Sequence, residues 1–147
     1  MNAGNSENSV SLIGGQGFIG RHIVRALAKR GYRIRVACRR PDLAGHVQPL
    51  GTPGQIMQVQ ANVRFPASLA AACDGATAVV SLTGVLSSRG AQSFDAIHVF
   101  GAEASARAAK AAKAQVFIQM SALGADADSG SEYGRTKAAG EAKARAA

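Results

Sequence analysis

Two side chains near the end of the chain are spaced for proton chemistry. Tyr133-Gly134-Arg135-Thr136-Lys137 sets a phenol and an ammonium at i and i+4, on one face of a helix. A tyrosine ordinarily titrates near pH ~10, too high to exchange protons readily at neutrality, and a neighbouring Lys⁺ stabilises the phenolate and brings that value down. Such a tyrosine serves as general acid or base toward a carbonyl or carbinol. Ser121 follows an expected strand, where its hydroxyl either orients a substrate oxygen or satisfies local backbone.

A second cluster handles phosphate. Gly14-Gly15-Gln16-Gly17-Phe18-Ile19-Gly20 runs from the end of one apolar segment into the start of another. Gly14 permits a tight turn, Gly17 lets the backbone approach a pyrophosphate, and Gly20 lets a helix pack closely on a strand. The helix that opens at Phe18 and Ile19 offers free N–H groups and its positive dipole end to an anion. Between a strand and a helix, at the head of a βαβ series, this pattern predicts a dinucleotide cofactor.

A third cluster bears on which dinucleotide. A site for NAD places a carboxylate about twenty residues after the glycines, to accept hydrogen bonds from ribose hydroxyls. Here that stretch reads Ala37-Cys38-Arg39-Arg40-Pro41. Two guanidiniums stand where the acid belongs, and guanidinium pairs bidentately with phosphate, so NADP(H) is expected over NAD(H). Asp42 is close enough to turn inward, which keeps NAD in play.

Positioning these residues requires strands that alternate with helices. Val10–Ile13, Tyr32–Ala37, Gln55–Val59, Thr77–Leu82 and Gln115–Met120 read as strands. Helices are expected over 18–30, 66–73, about 94–113, and from about Tyr133 to the end, with Gly31 closing the first. The alternation implies right-handed crossovers and a parallel sheet covered on both faces, a Rossmann-type doubly wound α/β fold of about five strands. Residues 1–8 are expected to be a disordered tail and 9–147 one dinucleotide-binding domain. The loops after the fourth and fifth strands lie at the sheet edge where such folds bind ligands.

Composition narrows the partners. In 147 residues there are two cysteines, Cys38 and Cys73, with no metal-ligand spacing, so each reads as a small buried hydrophobe in a reducing, cytoplasmic setting. No metal is expected. The net charge of +8 is spread along the chain, and tryptophan is absent, which disfavours a nucleic-acid reader. No apolar run approaches membrane-spanning length, and the polar start carries no signal-peptide pattern.

With these motifs in place the chain resembles an extended or atypical short-chain dehydrogenase/reductase of the NAD-dependent epimerase/dehydratase group. The glycine run matches that group's opening motif. Asn62-Val63 falls where the group has an Asp-Val or Asp-Leu touching adenine, and Leu82-Thr83-Gly84 where it has a Leu-Ala-Gly-like segment lining the cofactor. Ser121, Tyr133 and Lys137 match its Ser and Tyr-x-x-x-Lys elements, and His98 stands where it usually carries an Asn. The Ser-Ala-Leu-Gly-Ala segment beside Tyr-x-x-x-Lys is most similar to the accessory-subunit branch of respiratory complex I and its bacterial relatives.

The resemblance implies that Lys137 also holds cofactor ribose hydroxyls, and that NADPH is bound structurally in that branch. It implies a homodimer through Ile97–Lys113 and Tyr133–Ala147, or membership of a larger respiratory assembly peripheral to the inner membrane. It further implies strands and a C-terminal substrate region beyond Ala147, so a truncated domain is expected, binding cofactor without a complete substrate pocket. The alternative is an active NADP-dependent oxidoreductase or epimerase using Ser121, Tyr133 and Lys137.

Overall fold

A computed structural model of the chain describes residues 8–147. The tail expected over 1–8 lies, but for Asn8, outside the described residues. Five strands form one parallel sheet: β1 (Ser9–Ile13), β2 (Arg33–Cys38), β3 (Ile56–Gln60), β4 (Ala78–Ser81) and β5 (Val116–Gln119). Their order is β3-β2-β1-β4-β5. The chain therefore winds outward from β1 in one direction through β3, then returns to build β4 and β5 on the other side. The crevice at the β1/β4 reversal is where such sheets bind ligands.

Alternate side chains of the inner strands feed two cores, one on each face. Val10, Leu12, Ile34, Val36 and Val80 pack with Val24 of α1 (Phe18–Lys29) on one face. On the other, Ile13, Ala37 and Val79 meet Leu69 of α2 (Pro66–Cys73) and the alanines of α3 (Gly101–Ala111). Burial on both faces is what a parallel sheet requires. Ser11, a polar residue in this core, is satisfied by donating its hydroxyl to the Ala72 carbonyl at 2.6 Å.

One element departs from the expected pattern. The helix predicted over 94–113 opens with a wider π-helical turn, Asp95–Phe100, before α3 begins. Such turns are uncommon and gather at functional sites. Two small residues let neighbours crowd this region: a Cβ on Gly101 would lie 2.9 Å from Val63, and one on Gly140 of α4 (Glu132–Ala146) would collide with the His98 carbonyl. The β5 strand forms the sheet edge and leaves Val116 and Ile118 half exposed.

Candidate dinucleotide site

The cleft lies across the ends of β1, β2 and β4. The turn after β1 is fixed by backbone bonds: Gly14 N–H donates to Ala37 O at 2.8 Å, and Gly17 N–H to Gly14 O at 3.2 Å. Gly14 sits at φ +82°, a left-handed conformation that only glycine adopts freely. A Cβ on Gly20 would lie 2.5 Å from the Gly15 carbonyl oxygen, so Gly20 is where α1 packs onto the turn. Gly17 differs. A Cβ there would meet nothing closer than Gly14 O at 3.5 Å, so the protein itself has no steric need for glycine at this position. Gly17 lines the cleft.

Gly17 is also the N-cap of α1, where no side chain accepts from the first-turn amides and the first turn carries no acidic residue. Those amides and the dipole behind them are left to a ligand anion. Phe18 and Ile19 contribute only backbone here. Their side chains are 72% and 48% exposed and lie outside the cleft, with Phe18 edge-on to His22 and capped by Arg21.

The end of β2 treats its two arginines unequally. Arg39 lines the cleft and has no ion-pair or hydrogen-bond partner among the described residues. Arg40 does not line it, contrary to the expectation of a two-arginine phosphate site. The short helical turn Pro41–Leu43 brings Asp42 back onto Arg40, which donates Nε at 3.0 Å and Nη2 at 2.6 Å to the carboxylate. In this arrangement Asp42 faces Arg40 and is not among the cleft-lining residues. The adjacent guanidinium holds its carboxyl below the usual carboxylate range.

On the far wall, Asn62 accepts from the Arg64 amide through Oδ1 at 3.0 Å, which leaves the amide end of its side chain for the cleft it lines with Val63. Leu82, Thr83 and Gly84 line the wall next to the glycine turn, with Leu82 N–H bound to Ile13 O at 2.8 Å. The Thr83 hydroxyl and the Gln16 side-chain oxygen are buried without a hydrogen-bond partner. Buried polar atoms are seldom left unpaired, so these orphans on the cleft fit a polar ligand. With Gly17's open space and Arg39, the residues present fit a phosphate-bearing dinucleotide.

Tyr133 and Lys137 lie on α4, whose N-cap Ser131 accepts from Gly134 N–H at 3.0 Å. Lys137 is 6% exposed, and its Nζ donates to Met120 O at 2.9 Å, one acceptor for three donor hydrogens. Burial pushes its ammonium down, opposed by Glu141. Its Nζ stands 3.9 Å from where a Gly84 Cβ would be, which places it against the cleft wall. The Tyr133 ring meets Phe94 and His98 edge-to-face, at 6.0 and 5.2 Å between centroids.

Ser121 directly follows Met120, whose carbonyl takes the Lys137 ammonium. It lines a groove between β5 and the second half of α4, with Glu141 and Arg145, and its hydroxyl is buried without a partner.

Two residues outside the expected site set bear on it. His46, on the turn Gly45–Leu50, donates from Nε2 to Gln16 O at 2.8 Å and so braces the glycine turn from the β2–β3 connection. His98, 2% exposed in the π-helical turn, accepts the Val85 N–H at Nε2 (3.1 Å) and reaches Thr136 Oγ1 from Nδ1 (3.0 Å). A lone histidine in an apolar helix carries no sequence signal for either role. Cys38 and Cys73 are free and buried, as expected of small hydrophobes, and burial pushes the Cys73 thiol up to about 11.

Comparison with known proteins agrees with this geometry. A family model described as NAD(P)H-binding matches residues 14–147. The chain is 38% identical over 138 residues to a ceramide reductase of Caulobacter vibrioides, covering 94% of this chain and 42% of that protein. It is 32% identical to the mitochondrial NADH dehydrogenase [ubiquinone] 1 alpha subcomplex subunit 9 of Dictyostelium discoideum, covering 89% and 36%. A short-chain dehydrogenase/reductase superfamily protein of Agrobacterium tumefaciens with bound NAD superimposes with a TM-score of 0.74 at 26% identity, over 93% of this chain and 44% of that one. The chain thus spans about two-fifths of the length of the curated relatives it matches. None of its described helices is long and apolar enough to cross a membrane. The chain belongs to the NAD(P)H-binding family, as a Rossmann-type domain of an atypical short-chain dehydrogenase/reductase related to the complex I subunit.

Proposed function

We propose that the domain holds NADP(H) in preference to NAD(H), with Arg39 receiving the 2′-phosphate. One observation carries the reading: Arg39 is the one charged side chain among the described residues that line the cleft. Asp42, the nearby acid that would favour an unphosphorylated ribose, is held by Arg40. Gly14, Gly17 and the first-turn amides at Phe18, Ile19 and Gly20 take the pyrophosphate in this scheme. Asn62 and Val63 border the adenine, and Leu82, Thr83 and Gly84, with Lys137, the nicotinamide half. Calorimetric titration with NADPH and with NADH tests it. Arg39→Ala is expected to weaken NADPH about tenfold or more, the loss of one charge-assisted phosphate contact, and to leave NADH nearly unchanged. Arg40→Ala is expected to do less, since that guanidinium is already occupied. Equal weakening of both dinucleotides by Arg39→Ala would remove the 2′-phosphate from the reading.

A bound nicotinamide supplies hydride transfer. Tyr133 holds the proton that a substrate oxygen gains or loses, with Lys137 one turn along the same helix. Ser121, its hydroxyl buried without a partner just after β5, is the remaining member of the proposed set. A relative named ceramide reductase supports reductase chemistry for the longer protein, and relatives named as NADH dehydrogenase subunits support a cofactor-holding role within an assembly.

A further inference from the structure

Two walls of the cleft meet at one side chain. Val85 ends the cleft-lining run after β4, and its N–H is accepted by His98 Nε2. A ring nitrogen that accepts carries no hydrogen, so His98 is neutral and its hydrogen is on Nδ1. That fixes the other bonds. Nδ1–H donates to Thr136 Oγ1, and the single Thr136 hydroxyl hydrogen is shared by the carbonyls of Glu132 at 2.9 Å and Tyr133 at 3.1 Å. Hydrogen bonds therefore run in one direction from the cleft loop, through the imidazole, into the first turn of α4. The ring is stacked on Phe94 at 5.2 Å and edge-to-face with Tyr133, so packing on both sides fixes its plane.

We propose that His98 is a positioning residue: as a neutral ring it clamps the Val85 end of the cofactor-lining loop to the helix bearing Tyr133 and Lys137, and a proton on Nε2 opens the clamp, so that dinucleotide and acid oppose each other. The inference rests on the reading of the cleft as a dinucleotide site. Protonation turns Nε2 into a donor facing the Val85 N–H and places a second cation near Lys137. The groups around the ring favour the neutral form. On α4 these are Lys137 and Tyr133, with Glu141 one turn beyond. On its own segment Asp95 precedes it, α3 turns Glu103 toward Arg107 and Lys143, and the β4 loop brings only its amide. Burial first, and then Lys137, hold the imidazole below its ordinary range.

Calorimetric titration of the full chain with NAD⁺ from pH 8 to pH 5 tests the clamp, because NAD⁺ has no 2′-phosphate to titrate in that window. The apparent Kd is expected to rise as pH falls through the His98 range, toward about tenfold per pH unit where only the neutral form binds. His98→Gln places a non-titrating acceptor at similar reach. It is expected to recover part of the affinity that His98→Ala loses at pH 8, and to lose the acid-dependent fall. The readout is the difference between the wild-type and His98→Gln profiles, in which His46 at the glycine turn cancels. Identical profiles with binding intact at pH 8 overturn the clamp and leave the dinucleotide reading standing. Absence of NAD⁺ binding at pH 8 is what a strict NADP(H) site gives, and absence of NADPH binding as well counts against the dinucleotide reading. Amide exchange at Val85 then decides the clamp. His98→Ala is expected to speed that exchange tenfold or more, and an unchanged rate overturns it.

Discussion

Gly17→Ala and Gly20→Ala add the same methyl group to the same motif, and the structure assigns them opposite consequences. At Gly20 the new Cβ would lie 2.5 Å from the Gly15 oxygen and 2.6 Å from its carbonyl carbon, both backbone atoms that no rotamer change can move. The turn or the first turn of α1 must shift, at a cost of about 1–3 kcal/mol. At Gly17 the backbone is φ −73°, ψ −175°, open to any residue, and the nearest atom to a Cβ is 3.5 Å away. Alanine is a poorer N-cap than glycine by roughly 0.5–1 kcal/mol, which the lower entropy of its unfolded chain offsets by about 0.4–1 kcal/mol. Gly17→Ala should therefore fold with stability within about 1 kcal/mol of wild type, or roughly 3–4 °C in Tm for a domain of this size. Its methyl group instead occupies the approach to the first-turn amides, and NADPH affinity should fall at least tenfold, about 1.4 kcal/mol. Thermal unfolding paired with calorimetric titration separates the two effects. A stable Gly17→Ala protein that binds NADPH like wild type would refute the assignment of that space to a ligand. A Gly20→Ala protein as stable as wild type would refute the packing account.

Further expectations concern the tyrosine helix. Tyr133→Phe keeps both aromatic contacts and removes only the hydroxyl, so dinucleotide affinity should stay within about twofold while any reduction of a carbonyl substrate falls by about 10² or more; equal turnover by the variant would take Tyr133 out of the proton path. His98 is held neutral, its folded pKa below the unfolded value near ~6.5, so the unfolded chain binds the extra proton first. Stability should thus be complete above about pH 6.5 and decline as pH falls toward the folded pKa. Urea midpoints at pH 7.5 and 5.0 should show a larger drop for wild type than for His98→Gln, and parallel drops would deny His98 that share. A homodimer through the outer surfaces of α3 and α4 predicts a sedimentation mass near twice the monomer at high concentration, and a monomer mass throughout would exclude it.

What the sequence disclosed follows from how local each signal is. The glycine turn is legible because its requirements arise within seven consecutive residues: a positive φ at Gly14, an open approach at Gly17 and a backbone collision at Gly20. The strands are legible because burial on both faces demands apolar runs such as Val10–Ile13, bounded by turn residues. The Arg39–Arg40 pair was only half legible. Composition shows two cations after β2, but which one stays free depends on the turn Pro41–Leu43, which swings Asp42 onto Arg40. Ser121 was legible as a strand-end hydroxyl, whereas its orientation depends on how α4 crosses β5. His46 could not be read at all, and His98 only as the residue standing where the resembled group carries an Asn. Each acts through a backbone atom distant in sequence, Val85 N–H and Gln16 O, and no residue pattern encodes such a partner.

The two halves of the site depend on the fold in different ways. The phosphate end of the cleft is made by β1, β2, β4 and their own turns, held by sheet ladders and the two apolar cores, and needs no side chain from α4. Tyr133 and Lys137 depend wholly on how α4 docks. That docking is close because Gly140 lets the helix backbone meet the His98 carbonyl, which any Cβ at 140 would strike. The Thr136–His98–Val85 bonds then set its rotation, and the Lys137 bond to Met120 anchors it to the end of β5. Loosening α4 should therefore impair proton exchange before dinucleotide capture.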